Sequence, residues 1–401
     1  MEWPLVRLGD VVHRLTNGFV GATRNIYQED GIPYLLARQV KNNRLQFDGR
    51  TYVSDDFNIS NKKSILIRGD VLLVQSGHIG HTAVVPAEHE GHNCHAMIVM
   101  TPKDGLNSDF LSLFFNYLLF TGKILEIRTG STVPHLTCKL VKELLVPLPP
   151  IPEQQRIVAI LDQAFADIEK ARANAEKNLK NARELFDSYL NQVFSQRGEG
   201  WVERPLSEIA DVKYGFTDKA TEEGDFRYVR ITDIDKNGEL VSTDKKYIQS
   251  STEARKFTLC EKDLLMARTG ATFAKVLLYR DYEPSIFASY LIKISFKEDI
   301  DNEFYWFFSK TSLYWNQANE LKSGAAQPHF NGTALKQVRL PYPLSRDEQT
   351  ILIEKFKAIL SETMKLENFY EKKLVSLDEL RKSLLQKAFS GELTKTSGQA
   401  A

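Results

Sequence analysis

Between Glu153 and Gly198 the chain contains neither proline nor glycine. Apolar residues recur there at Ile157, Leu161, Ala164, Ile168, Ala171, Ala175, Leu179, Ala182, Phe186, Tyr189 and Val193, in steps of three and four. Lys, Arg, Glu and Asn fill the gaps. This is a heptad stripe with one stutter. It predicts a helix roughly 65 Å long at about 1.5 Å per residue. So narrow a stripe on so long a helix demands a second long helix beside it.

The chain supplies that partner from Asp347 to Ser390, with a stripe at Leu352, Phe356, Ile359, Leu366, Tyr370, Leu374, Leu377, Leu380, Leu384 and Ala388. Of the two stripes, Ile157, Leu161, Ile168, Leu179, Phe186, Leu352, Phe356, Leu366, Leu377 and Leu384 form the expected core of the helix pair. Both helices open on Glu-Gln (Glu153-Gln154, Glu348-Gln349) and close on Phe-Ser (Phe194-Ser195, Phe389-Ser390). Carboxylates at a helix N-terminus suit the macrodipole.

The segments before the helices repeat as well. Asn17-Gly18-Phe19 matches Tyr214-Gly215-Phe216, and Tyr34–Val40 matches Tyr228–Ile234, both read as short strands. Gly69-Asp70-Val71-Leu72-Leu73-Val74-Gln75-Ser76-Gly77 matches Lys262-Asp263-Leu264-Leu265-Met266-Ala267-Arg268-Thr269-Gly270. Each reads as a turn, a buried strand and a Ser/Thr-Gly turn. Thr129-Gly130-Ser131-Thr132-Val133-Pro134-His135 matches Ser323-Gly324-Ala325-Ala326-Gln327-Pro328-His329. The steady offset predicts a duplication of the order globule, long helix, globule, long helix.

The expected fold class is α+β. Two similar globules of small mixed sheets with helices are separated by two long antiparallel coiled-coil helices, related by a pseudo-twofold axis. The closing helix can lead back toward Trp3 as Phe194 leads into Trp201, so the chain ends are expected to lie close together. Boundaries fall at 1–150, 151–196, 197–344 and 345–395, with a tail at 396–401. The opening Met1-Glu2-Trp3-Pro4 does not read as a signal peptide. No transmembrane span is evident, because Phe110 to Phe120 is too short. Cys94, Cys138 and Cys260 form no CxxC pattern, which suits a reducing cytoplasm.

Two similar readers on a rigid spacer suit a split, asymmetric target, and DNA half-sites are the natural case. The matched loops differ: Gln75-Ser76-Gly77-His78 stands against Arg268-Thr269-Gly270-Ala271-Thr272. Gln can read adenine and Arg can read guanine bidentately. Lys62-Lys63 and Lys245-Lys246 offer phosphate contacts or plain solvated loops. Net charge is zero, so binding by the chain alone is expected to be weak.

With these motifs in hand, the chain resembles the specificity subunit of type I restriction–modification systems over essentially its whole length. The motifs are Gly69-Asp70-Val71-Leu72 with Ser76-Gly77, Thr129-Gly130-Ser131 with Pro134-His135, Pro147 through Ile157, and their second copies. The second copy departs at Lys262 for Gly69 and Asp347 for Pro152.

The resemblance implies two target-recognition domains (1–150 and 197–344) held by spacer helices, and double-stranded DNA as ligand. It further implies two methyltransferase subunits and restriction subunits as partners. S-adenosylmethionine, ATP and Mg belong to those partners. No cofactor and no membrane belong to this chain, which has no catalytic residues of its own. No Asn-Pro-Pro-Tyr/Phe or phosphate-loop motif is present.

The candidate DNA-contacting residues are Arg38, Gln39, Lys41, Gln75, Ser76, Gly77, His78, Thr129, Ser131, Thr132 and His135 in the first copy. In the second they are Arg230, Thr232, Arg268, Thr269, Gly270, Thr272, Ser323, Gln327 and His329. Arg268 is equally a base reader or a surface ion-pair partner. The glycines are turn formers or DNA contacts. His135 and His329, common to both copies, suit scaffold, phosphate contact or subunit docking.

The rival reading is a coiled-coil interaction scaffold or zinc protein. It rests on His89-Glu90-Gly91-His92-Asn93-Cys94-His95 with His78 and His81 nearby. Against it, 93–100 reads as one strand, in which His95 would face away from Cys94, and the second copy has no such set.

Overall fold

The computed structural model describes residues 3–395 except 42, 129–133, 236–237, 242 and 325–327. The chain divides into two compact units, Met1–Ala175 with Lys372–Ala401, and Glu176–Glu371. Each long helix, Ile151–Gln196 and Arg346–Phe389, therefore gives one half to each unit.

Both units follow one strand plan. In the first, an antiparallel sheet runs in spatial order Val12–Asn17, Met97–Pro102, Val71–Val74, Thr82–Val84. In the second the order is Ala210–Tyr214, Leu291–Phe296, Leu264–Ala267, Val276–Leu278. Each unit adds a small sheet with one parallel pair, Ile32–Leu35 beside Asn93–Cys94 and Phe226–Val229 beside Ser285–Phe287. Each also has a two-stranded ribbon, Leu5–Arg7 with Leu145–Pro147 and Trp201–Pro205 with Arg339–Pro343. Mixed sheets with separate helices make the fold α+β, and the repeat in sequence is a repeat of topology.

The central strands are apolar throughout because each lies between two cores. Val71 and Leu73 join one cluster with Ile98 and Met100, while Leu72 and Val74 join another with Met97 and Val99. Leu264 and Met266, against Leu265 and Ala267, divide in the same way. Alternate side chains point to opposite faces, so a strand buried on both faces shows no polar alternation.

The Glu-Gln motif at each helix start has a structural cause. Gln154 is buried; its side chain accepts from the Asn107 amide (2.8 Å) and donates to the Gly105 and Pro149 carbonyls (2.8 Å each). Gln349 accepts from the Asp301 amide (2.8 Å) and donates to Asp299 and Pro343 (3.1 and 3.0 Å). Each glutamine pins its long helix to the turn that opens a buried helix, Ser108–Phe120 or Asn302–Phe308. The departure at Asp347 does not disturb this.

The closing phenylalanines are equally matched. Phe194 packs on Phe304 and Phe308 at 5.1 and 5.4 Å between ring centroids, and Phe389 packs on Phe110 and Phe114 at 5.2 and 5.4 Å. In the first unit Gly391 lies against Trp3, its Cβ position 3.5 Å from the indole. The described chain ends therefore meet there.

Within each unit the helix halves run antiparallel. Glu169 and Arg172 meet Arg381 (3.0 Å) and Asp378 in the first, and Arg183 meets Glu367 (3.2 Å) and Glu371 (2.8 Å) in the second. Ile157, Leu161, Ile168, Phe186 and Phe356 are buried, and Leu179, Leu352, Leu377 and Leu384 are half-buried. Leu366 is not core: it is 39% exposed, and Thr363 occupies the buried position on that turn. The stripe continues from Ile359 by a step of four onto a threonine, a polar residue that hid the correct phase.

Two strand expectations also change. Tyr34–Val40 and Tyr228–Ile234 each break after a short strand into a 3-10 turn, Ala37–Gln39 and Ile231–Asp233. The Gln39 and Asp233 side chains accept from the Leu36 and Arg230 amides (2.8 and 2.9 Å) and close those turns. The expected strand over 93–100 is two strands in different sheets, parted at Ala96, whose φ is +44°. Among the described residues no helix is long and apolar enough to cross a membrane.

Candidate nucleic-acid interface

In each unit the buried strand and the Pro-His segment meet. Leu136 donates its amide to the Gln75 carbonyl and Phe330 donates to Arg268, both at 2.8 Å. Ser76 pairs with His135, and Thr269 with His329, as isolated antiparallel bridges. Leu136 and Phe330 are fully buried. The apolar residue after the histidine thus plugs the core, and the two histidines sit at the outer edge of the same joint. Ser76 Oγ lies 2.5 Å from His135 Nδ1. His329 instead closes a backbone pair with Ser323 (2.8 and 3.0 Å).

Gly77 and Gly270 have φ of +73° and +76°, and a Cβ at either would meet nothing within 4 Å. They are needed for the left-handed turn rather than for close approach. The preceding turns match too: Gly69 has φ +86° and Lys262 φ +64°. Asp70 accepts from the Ile67 amide (2.8 Å), Thr101 (2.5 Å) and Arg14, and Asp263 accepts from the Cys260 amide (2.8 Å) and Lys293 (2.5 Å). The aspartates are scaffold.

Several expected DNA contacts are turned inward. Gln39 is buried and bonds Asp48 (2.8 Å) as well as the Leu36 amide. Gln75 is 3% exposed and Thr269 is buried, so neither presents its side chain to a ligand. Gln75 directly follows a strand enclosed by two cores, while Thr269 turns back into the interior two residues past the matching strand, beyond the partly exposed Arg268. Arg230 is held by Asp233 (2.9 Å) and Asp244 (3.5 Å), and Thr232 Oγ1 donates to Asp233 (3.4 Å).

Others face outward. Ser76, Gly77, His78, Lys41, Ser323 and His329 are exposed, and His135, Gly270 and Thr272 are partly so. Arg38 reaches Asp48 at 3.3 Å. Thr129, Ser131, Thr132 and Gln327 lie outside the described residues. Lys62 and Lys63 are exposed, whereas Lys245 and Lys246 pair with Glu283 (2.6 Å) and with Glu222 and Asp244 (2.7 and 2.8 Å).

Arg268 has two neighbours that the motifs did not single out. Its guanidinium carbon lies 5.3 Å from the ring centroid of Tyr214 and 5.4 Å from that of Tyr290. Nη1 donates to the Ser289 carbonyl at 3.4 Å. Tyr214 OH accepts from the Gly332 amide (2.8 Å). Tyr214 stands opposite Asn17 in the repeat, and that mismatch was the available signal.

The histidine group does not converge. His89 and His92 face each other at 3.1 Å, and burial lowers both pKa values. Cys94 is in a core cluster, where burial pushes its thiol up to about 12. His95 bonds Tyr34 OH at 3.3 Å. Among the described residues no three His, Cys, Asp or Glu side chains are placed to hold a metal ion.

The two halves of the chain each match a known family. The profile of the type I restriction modification DNA specificity domain fits residues 1–177 and again 198–375. The chain belongs to this family. Its role is DNA sequence recognition, and it is not the catalytic chain.

The MjaVIII specificity subunit of Methanocaldococcus jannaschii is 23% identical over 378 residues, covering 89% of this chain and 86% of that protein. The EcoKI specificity subunit of Escherichia coli K12 is 22% identical over 394 residues, covering 92% and 84%. Among solved structures, one chain from work on complex assembly and conformational transition of the type I R-M system superposes with TM-score 0.78 at 18% identity, covering 98% of both chains. The HsdS subunit of Thermoanaerobacter tengcongensis gives 0.62 at 18%, covering 98% and 97%. These two likenesses concern the fold.

Proposed function

We propose that the chain reads a split DNA target, one half-site per unit, for a type I restriction–modification complex. The two long helices set the gap between the half-sites. The observation that carries this reading is one joint built twice: Gln75-Ser76 closed by His135-Leu136, and Arg268-Thr269 closed by His329-Phe330, with unlike side chains on like backbones. Identical scaffolds with different rims suit two different half-sites.

In this reading two methyltransferase subunits and, where present, restriction subunits dock on the chain and bring S-adenosylmethionine, ATP and Mg. They also supply much of the phosphate contact, since the chain itself has no net charge. The recognition domains correspond to 1–150 and 197–344 and the spacers to 151–196 and 345–395. The complex works in the cytoplasm, on chromosomal and incoming DNA. The outward-facing Ser76, His78, Lys41, Thr272 and His329 belong to the DNA-facing rims.

The test is co-expression with the cognate methyltransferase in a methylation-free host, followed by single-molecule sequencing for methyladenine. A split, asymmetric motif with a fixed gap is the expected result. An unsplit motif, or none despite a stable complex, overturns the reading.

A further inference from the structure

The two units share their backbone bonds but differ at one cluster of side chains. Gly18 donates to Met97 (2.7 Å) as Gly215 donates to Leu291 (3.1 Å), and the strand-end joints match residue for residue. That register places Tyr214 opposite Asn17, Arg268 opposite Gln75 and Tyr290 opposite Ala96. The first unit therefore has a buried amide where the second has a cation flanked by two rings. Asn17 there accepts from Cys138 Sγ at 3.0 Å and stacks on nothing comparable.

We infer that the Tyr214–Arg268–Tyr290 cluster is the guanine-reading element of the second unit, and that the first unit has no counterpart at this place. The inference rests on the DNA-recognition reading above and assigns a residue to it.

Arg268 follows a fully buried strand, and its backbone is fixed on both sides, by its amide to the Tyr290 carbonyl (3.1 Å) and its carbonyl to the Phe330 amide (2.8 Å). A functional side chain on so rigid a base is placed before the ligand arrives. The two tyrosines are 42% and 53% exposed, so the cluster lies at the surface. Its place between the two rings restrains the guanidinium and reduces the rotamer freedom lost on binding. Among the described residues no carboxylate pairs with Arg268, unlike Arg230 and Arg227, which face Asp233 and Asp281. A planar fork without a carboxylate partner matches the O6 and N7 acceptors of guanine. A phosphate needs only charge, and a flexible lysine would serve it as well.

The test uses the full chain with its methyltransferase, comparing wild type, R268A and R268K by methylome sequencing. Complex formation and thermal unfolding are followed in parallel. The expected result for R268A is that one guanine in one half-site becomes degenerate, with roughly ten- to a hundredfold loss of discrimination at that base pair. The other half-site and the gap stay unchanged. R268K keeps the charge but not the fork, and gives the same degeneracy at that base; should R268A fail to assemble, R268K decides the matter.

An unchanged motif in both variants overturns the assignment. Full guanine stringency in R268K overturns the bidentate contact. Equal loss at all sequences, with a shallower salt dependence, makes Arg268 a phosphate contact instead. A wild-type chain that yields no split motif refutes the DNA-recognition reading itself, and is distinguishable from all of these.

Discussion

Gln154 and Gln349 make the same three hydrogen bonds in the two units, while Gln75 and Arg268, equally matched in the chain, share only backbone bonds. The first pair is itself fully buried and cannot vary without leaving the amides and carbonyls of its turn unpaired. The second stands where a core ends and solvent begins. There Gln75 folds inward, while Arg268 lies between two half-exposed rings. Duplication thus preserved what the interior requires and released what the rim presents. A recognition protein needs that division if two like halves are to read unlike sequences.

The matched phenylalanines give the largest expected effect. Phe194→Ala removes a fully buried ring from the second unit and should cost about 3–5 kcal/mol. Phe389→Ala in the first unit, where the ring is half-buried, should cost less, about 2–3 kcal/mol. Denaturant unfolding read by tryptophan fluorescence follows both, because Trp3 lies in the first unit and Trp201, Trp306 and Trp315 in the second. Equal costs would break the ranking by burial.

The two glutamine pins come next. Gln154→Ala and Gln349→Ala should each lose about 3 kcal/mol, since each leaves three backbone groups of the turn without a partner, one of them a buried proline carbonyl. The longer bonds of Gln349 make its loss the smaller. Urea titration of the two variants checks this; a difference above about 2 kcal/mol would show that the pins are not equivalent.

A third contrast lies at Asn116 and Lys310, which occupy matched positions. Asn116 is buried and bonds Asn43, whereas Lys310 packs 4.0 Å over the Trp306 ring. Burial lowers the Lys310 ammonium from 10.5 to about 8, with Glu239 and Asp235 opposing the shift. Between those values the unfolded chain holds a proton that the folded chain does not. Stability from this group should therefore rise as pH rises from about 8 to about 10.5, by about 2.5 kcal/mol. Lys310→Met should flatten that rise in melting curves taken across the window. A wild-type slope that survives the substitution assigns it to another group.

The smallest effect concerns the matched left-handed turns. Lys262→Gly should stabilise the second unit by about 0.5–1 kcal/mol by relieving a positive φ, and Gly69→Ala should destabilise the first by about 1 kcal/mol. Differential scanning calorimetry resolves both. Destabilisation by Lys262→Gly would mean that its contact with Glu303, at 3.9 Å, outweighs the strain.

Much of the architecture was legible in the sequence because it rests on periodic burial. The proline-free heptad stretches gave the long helices, the offset near 195 gave the duplication, and the runs at Val71–Val74 and Leu264–Ala267 gave the central strands. The motifs were legible as motifs, although their reasons were not. The glutamine after each Glu reaches a turn some fifty residues away in the chain, and Pro-His matters because the residue after it fills a core.

What only the tertiary structure decided was the direction in which side chains point where regular structure ends. Gln39, Gln75 and Thr269 are polar residues singled out as ligand contacts, yet each is buried, and Leu366 is an apolar residue left exposed. Tyr214 reaches Arg268 from the end of the strand Ala210–Tyr214, and Tyr290 from the turn before Leu291–Phe296, segments that meet only in the folded sheet. Periodicity determines which face of an element is buried, because that depends on spacing along one chain segment. Which residues meet at a rim depends on where separate segments end in space, and no local pattern encodes that.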